Sequence, residues 1–214
     1  MTNALTYIQE TFQNEFKGKK DKDFNYKKIN ADRLQTYRKE KHAVLRVQRP
    51  TNLARARTLG YKAKQGFVVA RVRVRKGSGM HTRPTMARRP KRMGINKLTR
   101  NLSIQSIAEQ RAARKFPNCE VLNSYSVGND GTKHYFEVIL IDSLNPAVQS
   151  DKDVNWLLNG NHRGRVWRGL TSSGRKSRGL RNKGKGAEKA RGSHKPGWKK
   201  QGRKKMFKPQ NVFQ

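Results

Sequence analysis

Apolar residues recur at helical spacing in the first patterned segment, "ALTYIQETFQNEF" (4–16), where Leu5, Ile8, Phe12 and Phe16 share one face behind Thr2 or Asn3 as cap. The polar run "KGKKDKD" (17–23) reads as a turn. A second, short helix is expected from Asn30, with Asp32 in the first turn, where the helix dipole favours an acid. "AVLRVQR" (43–49) has a strand pattern that Pro50 stops. "TNLARARTLG" (51–60) then offers Thr51 or Asn52 as cap, one or two helical turns, and Gly60 at the position favoured for a C-cap.

The clearest alternation is "GFVVARVRVRKG" (66–77). On a strand, Val68, Ala70, Val72 and Val74 turn to one side and Arg71, Arg73 and Arg75 to the other. Two uses fit such a row of arginines: a solvated edge protected by charge, or a ladder for phosphates. With no acid close by in sequence to pair with them, phosphate contact is the favoured reading. Residues 77–97, "GSGMHTRPTMARRPKRMGINK", follow neither period and read as a functional or disordered loop, extended by its prolines.

Helical spacing returns in "SIQSIAEQRAARKF" (103–116), with Ile104, Ile107, Ala108 and Ala112 near one face. Ser106 and Glu109 would make a capping box if the helix began there, and Pro117 ends it. "EVLNSYSV" (120–127) and "KHYFEVILID" (133–142) are strands joined through "GNDGT", an antiparallel hairpin. The second is apolar on both alternations over 138–141 and should be the best-buried element. Trp156 with Leu157 and Leu158 is expected to pack inward. From Asn159 onward apolar residues are scattered singly among Gly, Ser and cations, so this segment should be mobile alone. The pattern thus divides the chain into an N-terminal helical segment (1–43), an α+β core (44–77 and 98–158), a basic extended loop (78–97) and a basic C-terminal extension (159–214).

Charge sharpens that division. Fifty Lys+Arg oppose 14 Asp+Glu over 214 residues, a formal net charge of +36, and hydrophobic residues are only 33%. No acid lies between Glu40 and Glu109, and beyond Asp153 only Glu188 remains. Such a surplus repels itself in the free protein and attracts polyanions. Nucleic acid is the expected partner. A membrane is not, since no apolar run is long enough to span one and no long basic amphipathic helix is present. No N-terminal segment resembles a signal peptide, and a cytoplasmic location is expected.

Catalytic chemistry finds no foothold. The five histidines are dispersed, without HExxH spacing, and "GKGAEK" lacks the ending and preceding strand of a phosphate loop. Ser172 and Ser173 occupy no nucleophile elbow. Cys119, the sole cysteine, excludes an intramolecular disulfide and a Cys-rich zinc site, and reads as a small buried residue. No enzyme activity and no cofactor are expected, beyond Mg²⁺ that accompanies RNA. No small-molecule substrate is expected either.

Several longer stretches together resemble one family. "RPTNLARARTLGYKAKQG" (49–66) with "VRVRKG", "VLNSYSVGNDG" (121–131) with "FEVILID", and "RGLTSSGRKSRGL" (168–180) are similar to the L15e family of large-subunit ribosomal proteins of archaea and eukaryotes. "RRPKRMGINKLT" (88–99) and "RGLRNKGKGAEKARGS" (178–193) resemble its archaeal branch. The resemblance implies a small α+β core with a mainly antiparallel four-stranded sheet and packed helices, carrying long basic extensions buried in large-subunit rRNA. It also implies a structural and assembly role beside neighbouring large-subunit proteins. A DNA-compacting or chromatin protein is the rival, but it would need a groove-entering helix or a wedge element, and neither is evident.

RNA helices are recognised through backbone and shape, and loops through their bases. The expected rRNA contacts are therefore Arg49, Arg55, Arg57, Lys62 and Lys64 around the "GYKAKQG" segment, and the strand row Arg71, Arg73 and Arg75. The loop adds Arg83, Arg88, Arg89 and Arg92. The extension adds Arg163, Arg165, Arg168, Arg175, Lys176, Arg178, Arg181, Lys183 and Lys185, with the "TSSGRKSRG" hydroxyls and guanidinium groups on a flexible backbone between RNA helices. Gly174 and Gly179 would permit tight turns there. Tyr61 either stacks on a base or caps the core. Trp167, Trp198 and Phe207 either stack on bases or anchor the extension to the body.

Overall fold

The computed structural model describes residues 3–19 and 24–181; the expectations for Lys183, Lys185, Trp198 and Phe207 lie outside these residues, as does part of the 17–23 turn. Helix α1 (Ala4–Lys17) ends where Gly18 takes up the left-handed conformation, and α2 (Tyr26–Lys39) follows. The second helix begins four residues before Asn30. Asn25 is its cap, accepting from the Lys28 N–H at 3.2 Å.

Four strands, β1 (Val44–Val47), β2 (Phe67–Arg75), β3 (Cys119–Asn129) and β4 (Lys133–Asp142), form one antiparallel sheet in the order β1-β2-β4-β3. The fold is α+β. Val138, Ile139, Leu140 and Ile141 on β4 are all completely buried, because β4 is a central strand covered on both faces. Helix α4 (Ile104–Lys115) lays Ala108 and Ala112 over Ala70, Val72, Val74, Val138 and Leu140. Its cap is Ser103, which accepts from the Ser106 N–H, so Ser106 and Glu109 are not a capping box but lie inside the helix and are buried. On the opposite face, Tyr37 of α2 and Ala56 of α3 (Leu53–Thr58) pack with Tyr125, Val127, Tyr135 and Ile139.

A third cluster closes the end of the sheet: Ile141 packs with Val148 of α5 (Pro146–Gln149), Val154 and Leu157. Gly66 makes this close approach possible. Its φ is +85°, and a Cβ there would lie 2.5 Å from a Val148 methyl. Leu157 is buried and Leu158 packs partly against the same cluster, but Trp156 does not pack inward with them; it is 41% exposed, because the short 3₁₀ turn Asn155–Leu158 places neighbouring side chains on different sides.

The segment from Asn159 to Arg181 is built onto the core, ending in helix α6 (Ser172–Ser177). Val166 joins the α4 cluster, and Arg165, Thr171 and Ser173 are buried. Its few apolar residues did not suggest such packing, because what holds it is a polar core.

Candidate nucleic-acid interface

Among the described residues, two carboxylates are completely buried, one on each face of the sheet, and they determine which cations face inward. On the α2–α3 face, Glu137 of β4 accepts from the Thr51 N–H (2.9 Å), the Thr51 hydroxyl (2.5 Å), the Tyr125 hydroxyl and Arg71 (3.3 Å). Burial and the neighbouring carboxylate push the Tyr125 phenol far above its ordinary range, so it stays a donor. Arg71 also reaches Glu40 at 2.6 Å and lies over the Tyr37 ring, 4.0 Å from its centroid. Half-buried Thr51 and buried Asn52 thus have internal roles: Thr51 ties α3 to Glu137, and Asn52 caps α3 through the Arg55 N–H at 2.9 Å.

The strand row of arginines is accordingly split three ways. Arg71 is an internal ion pair, Arg73 donates to the Glu40 and Lys41 carbonyls at 2.6 and 3.1 Å, and Arg75 is exposed. The acids absent from the neighbouring sequence arrive through the fold, 31 and 66 residues away. Lys62 is likewise engaged, at 2.7 Å from both Asp151 and Asp153; the two hydrogen bonds raise its pKa, and the one to Asp151 lowers that of the carboxyl. Lys64 is exposed, 3.5 Å from Asp151. Tyr61 meets Phe67 edge-on and packs against the α2–α3 cluster.

On the α4 face, Glu109 accepts from Ser124 of β3 at 2.5 Å, Thr171 at 2.6 Å and Ser173 at 2.9 Å. Ser106 adds a hydroxyl contact to Ser173 at 2.9 Å. Thr171 also caps α6 through the Gly174 N–H. Gly174 sits so close to Gly169 that a Cβ would be 2.6 Å from the Gly169 Cα. The "TSSG" hydroxyls at 171 and 173 therefore turn inward as a latch rather than outward. What the latch presents to solvent is Arg175, Lys176 and Arg178, all exposed. Among the described residues, only Arg178 of the three has a partner for its side chain, the Gly169 carbonyl at 3.3 Å.

Arg165 is 7% exposed and donates to the Val121 and Leu122 carbonyls at 2.8 and 2.9 Å, where the β3–β4 register shifts and β3 bulges. Desolvation lowers its pKa. Arg168 closes its own turn onto the Asn161 and Arg163 carbonyls. Trp167 is half exposed, with the Arg114 guanidinium 5.3 Å from its ring centre. Arg49, Arg55, Arg57, Arg163 and Arg181 are exposed.

The 78–97 loop carries one 3₁₀ turn (Pro90–Arg92) and is bridged by His81 on the Leu98 carbonyl and Arg83 on the Met93 carbonyl. Arg83, Arg88, Arg89 and Arg92 are exposed along it. Arg111 and Arg114, three residues apart on α4, are cations that sequence reasoning passed over; their spacing on one helical face was the available signal.

Residues from distant segments line one cleft of about 530 Å³, among them Leu59 after α3, Leu122 and Asn123 of β3, Trp156, Arg165, Ser172 and Arg175 of α6, and Arg181. Among the described residues, no group of His, Cys, Asp and Glu could hold a metal ion, and no helix is long and apolar enough to cross a membrane. Cys119 is buried, and burial first, then Asp142, pushes its thiol up to about 11.

The family model described as Ribosomal L15 matches residues 4–196. The large ribosomal subunit protein eL15 of Methanocella arvoryzae is 50% identical over 174 residues, covering 81% of this chain and 85% of the relative. The proteins of that name from Picrophilus torridus and Methanococcoides burtonii are 57% and 55% identical over 150 and 145 residues. Those alignments cover 70% and 68% of this chain and 76% and 73% of the relatives.

Proposed function

The chain belongs to the ribosomal L15e family, and from that premise we propose that it holds folded large-subunit rRNA through the cations its core leaves unpaired. It is a structural protein of the large ribosomal subunit in the cytoplasmic ribosome, not an enzyme. The observation that carries the reading is the sorting of its cations. Arg71, Lys62 and Arg165 are engaged by the protein itself, whereas Arg49, Arg55, Arg57 and Arg75 are exposed with no acidic partner among the described residues. The same holds for Arg88, Arg89, Arg92, Arg163, Arg175 and Lys176.

The engaged set makes the body rigid; the exposed set meets phosphates. Guanidinium groups suit phosphate oxygens because they donate in pairs from a fixed plane. Recognition of backbone and shape requires cations distributed over several surfaces rather than one reading helix. Neighbouring large-subunit proteins are the further partners of this reading, and it includes no cofactor held by the protein.

Crosslinking of the intact particle, mapped to both nucleotide and amino acid, tests it. RNA adducts are expected on α3, the 78–97 loop and α6. Adducts confined to other surfaces, or none on those three, would refute it.

A further inference from the structure

The cleft that joins Leu59, Leu122, Trp156, Arg165, Arg175 and Arg181 sets a basic rim beside an apolar wall and an aromatic face. Among the described residues, no acidic side chain lines it. Its volume of about 530 Å³ falls within the usual range of small-ligand pockets, roughly 300–1,000 Å³.

Trp156 is held in place from several sides. Its indole N–H donates to the Asp153 carbonyl at 2.9 Å, and the His162 ring meets it edge-on at 4.9 Å. The Arg165 guanidinium lies 5.1 Å from its centroid. A ring fixed this way loses little freedom when a ligand stacks on it. Arg165 itself is more than nine-tenths buried, lines the cleft, and has an Nε without a hydrogen-bond partner. At the rim, Arg175 and Arg181 are exposed and have no acidic partner among the described residues.

We propose that this cleft takes a single unpaired nucleotide of RNA, its base stacked on Trp156 against Leu59 and Leu122 and its phosphate held by Arg175 and Arg181. The inference rests on the RNA-binding reading and goes beyond it, since phosphate recognition alone needs neither the indole nor the leucines. A base within a helix has both faces covered by its neighbours, so only an unpaired base presents a face to Trp156. An acidic peptide would satisfy the arginines but leave the aromatic face without a flat partner.

The test compares the full chain binding two labelled RNA hairpins at physiological salt, one fully paired and one carrying an unpaired adenine bulge, followed by fluorescence anisotropy. The bulged hairpin should bind more tightly by roughly five- to a hundredfold, the range of base–aromatic stacking. Trp156→Leu should abolish that preference while leaving affinity for the paired hairpin unchanged, and Trp156→Phe, which keeps a ring, should retain part of it. Arg175→Gln should weaken the bulged complex more than the paired one. Circular dichroism of each variant establishes that it is folded, and the phenylalanine variant keeps the test decisive should leucine disturb the turn.

Tight but equal binding of both hairpins would overturn the nucleotide site and leave the RNA-binding reading intact. Binding of neither would overturn both. A preference that survives Trp156→Leu would place recognition of the bulge elsewhere. Protection of Trp156 from iodide quenching by other large-subunit proteins, and not by the bulged hairpin, would assign the cleft to a protein and overturn the proposal.

Discussion

Arg71 and Arg75 occupy the same strand, four residues apart and with the same alternation, yet the fold gives them opposite work. Arg71 shares the buried Glu137 with Thr51 and pairs with Glu40, its side chain only 12% exposed. Removing it leaves Glu137 without its cation in a low-dielectric setting, so Arg71→Ala should cost about 3–5 kcal/mol. Urea denaturation measures that loss. Arg75→Ala should change stability by less than about 0.5 kcal/mol. It should instead weaken binding to rRNA and reduce the salt slope by about one. Equal stability of the two variants would contradict the division of roles. Gly174 supplies a second residue-level test: a Cβ 2.6 Å from the Gly169 Cα has no side chain to displace, only backbone. Gly174→Ala should therefore destabilise by about 1–3 kcal/mol and loosen the latch at Thr171 and Ser173. Hydrogen exchange of the α6 amides, faster in the variant, checks this.

The β3–β4 hairpin owes its turn to Asp130. Its carboxylate accepts from the Lys133 and Thr132 N–H groups at 2.6 and 2.8 Å, the Tyr135 hydroxyl at 3.0 Å and Arg38 at 3.2 Å. Burial alone would raise its pKa, but these donors outweigh burial and hold it well below the usual carboxylate range. A depressed folded pKa contributes stability that is complete above the unfolded value of about 3.9 and is lost as pH falls through the folded one. Asp130→Asn should therefore destabilise by about 1–3 kcal/mol at neutral pH. Its deficit should shrink below about pH 4 as the parent loses its own advantage, a convergence that thermal melts at pH 7 and pH 3 would show. The hairpin itself was legible in the sequence, as were all four strands, because alternation and turn chemistry are local signals: "GNDGT" flanked by "EVLNSYSV" and "KHYFEVILID" leaves one economical pairing. The start of α2 was not, since Tyr26, Ile29, Leu34 and Tyr37 form a sparse stripe that Asn25 alone announces. Least legible was the Glu109 latch. Its partners Thr171 and Ser173 stand 62 and 64 residues away, and a local reading of Ser106 and Glu109 offered only a capping box. The same blindness to distance made the Arg71 row look unpaired.

At the scale of the whole molecule, the core uses only some of its cations, and the remainder of a +36 charge has no internal counterpart. Acids are few, and among the described residues those in ion pairs face cations of the body: Glu40 and Glu137 with Arg71, Asp151 and Asp153 with Lys62, Asp130 with Arg38, Glu15 with Arg33. The exposed arginines on α3, the loop and α6 must therefore be neutralised from outside, by counterions in the free protein and by phosphates in the complex. Each phosphate engaged releases the counterions condensed on it, so affinity for RNA should fall steeply and linearly on a double-logarithmic salt plot. With on the order of ten phosphates engaged, binding to a large-subunit rRNA fragment should weaken by about 10³–10⁵ between 50 and 200 mM salt, taking the DNA calibration as guide. Filter binding or anisotropy across that range gives the slope directly. Arg71→Ala and Lys62→Ala, provided they fold, should leave it unchanged because those charges are satisfied within the body. Arg55→Ala combined with Arg88→Ala should flatten it by about two. A slope insensitive to the exposed pair would mean that affinity resides in contacts other than the arginines the core leaves free.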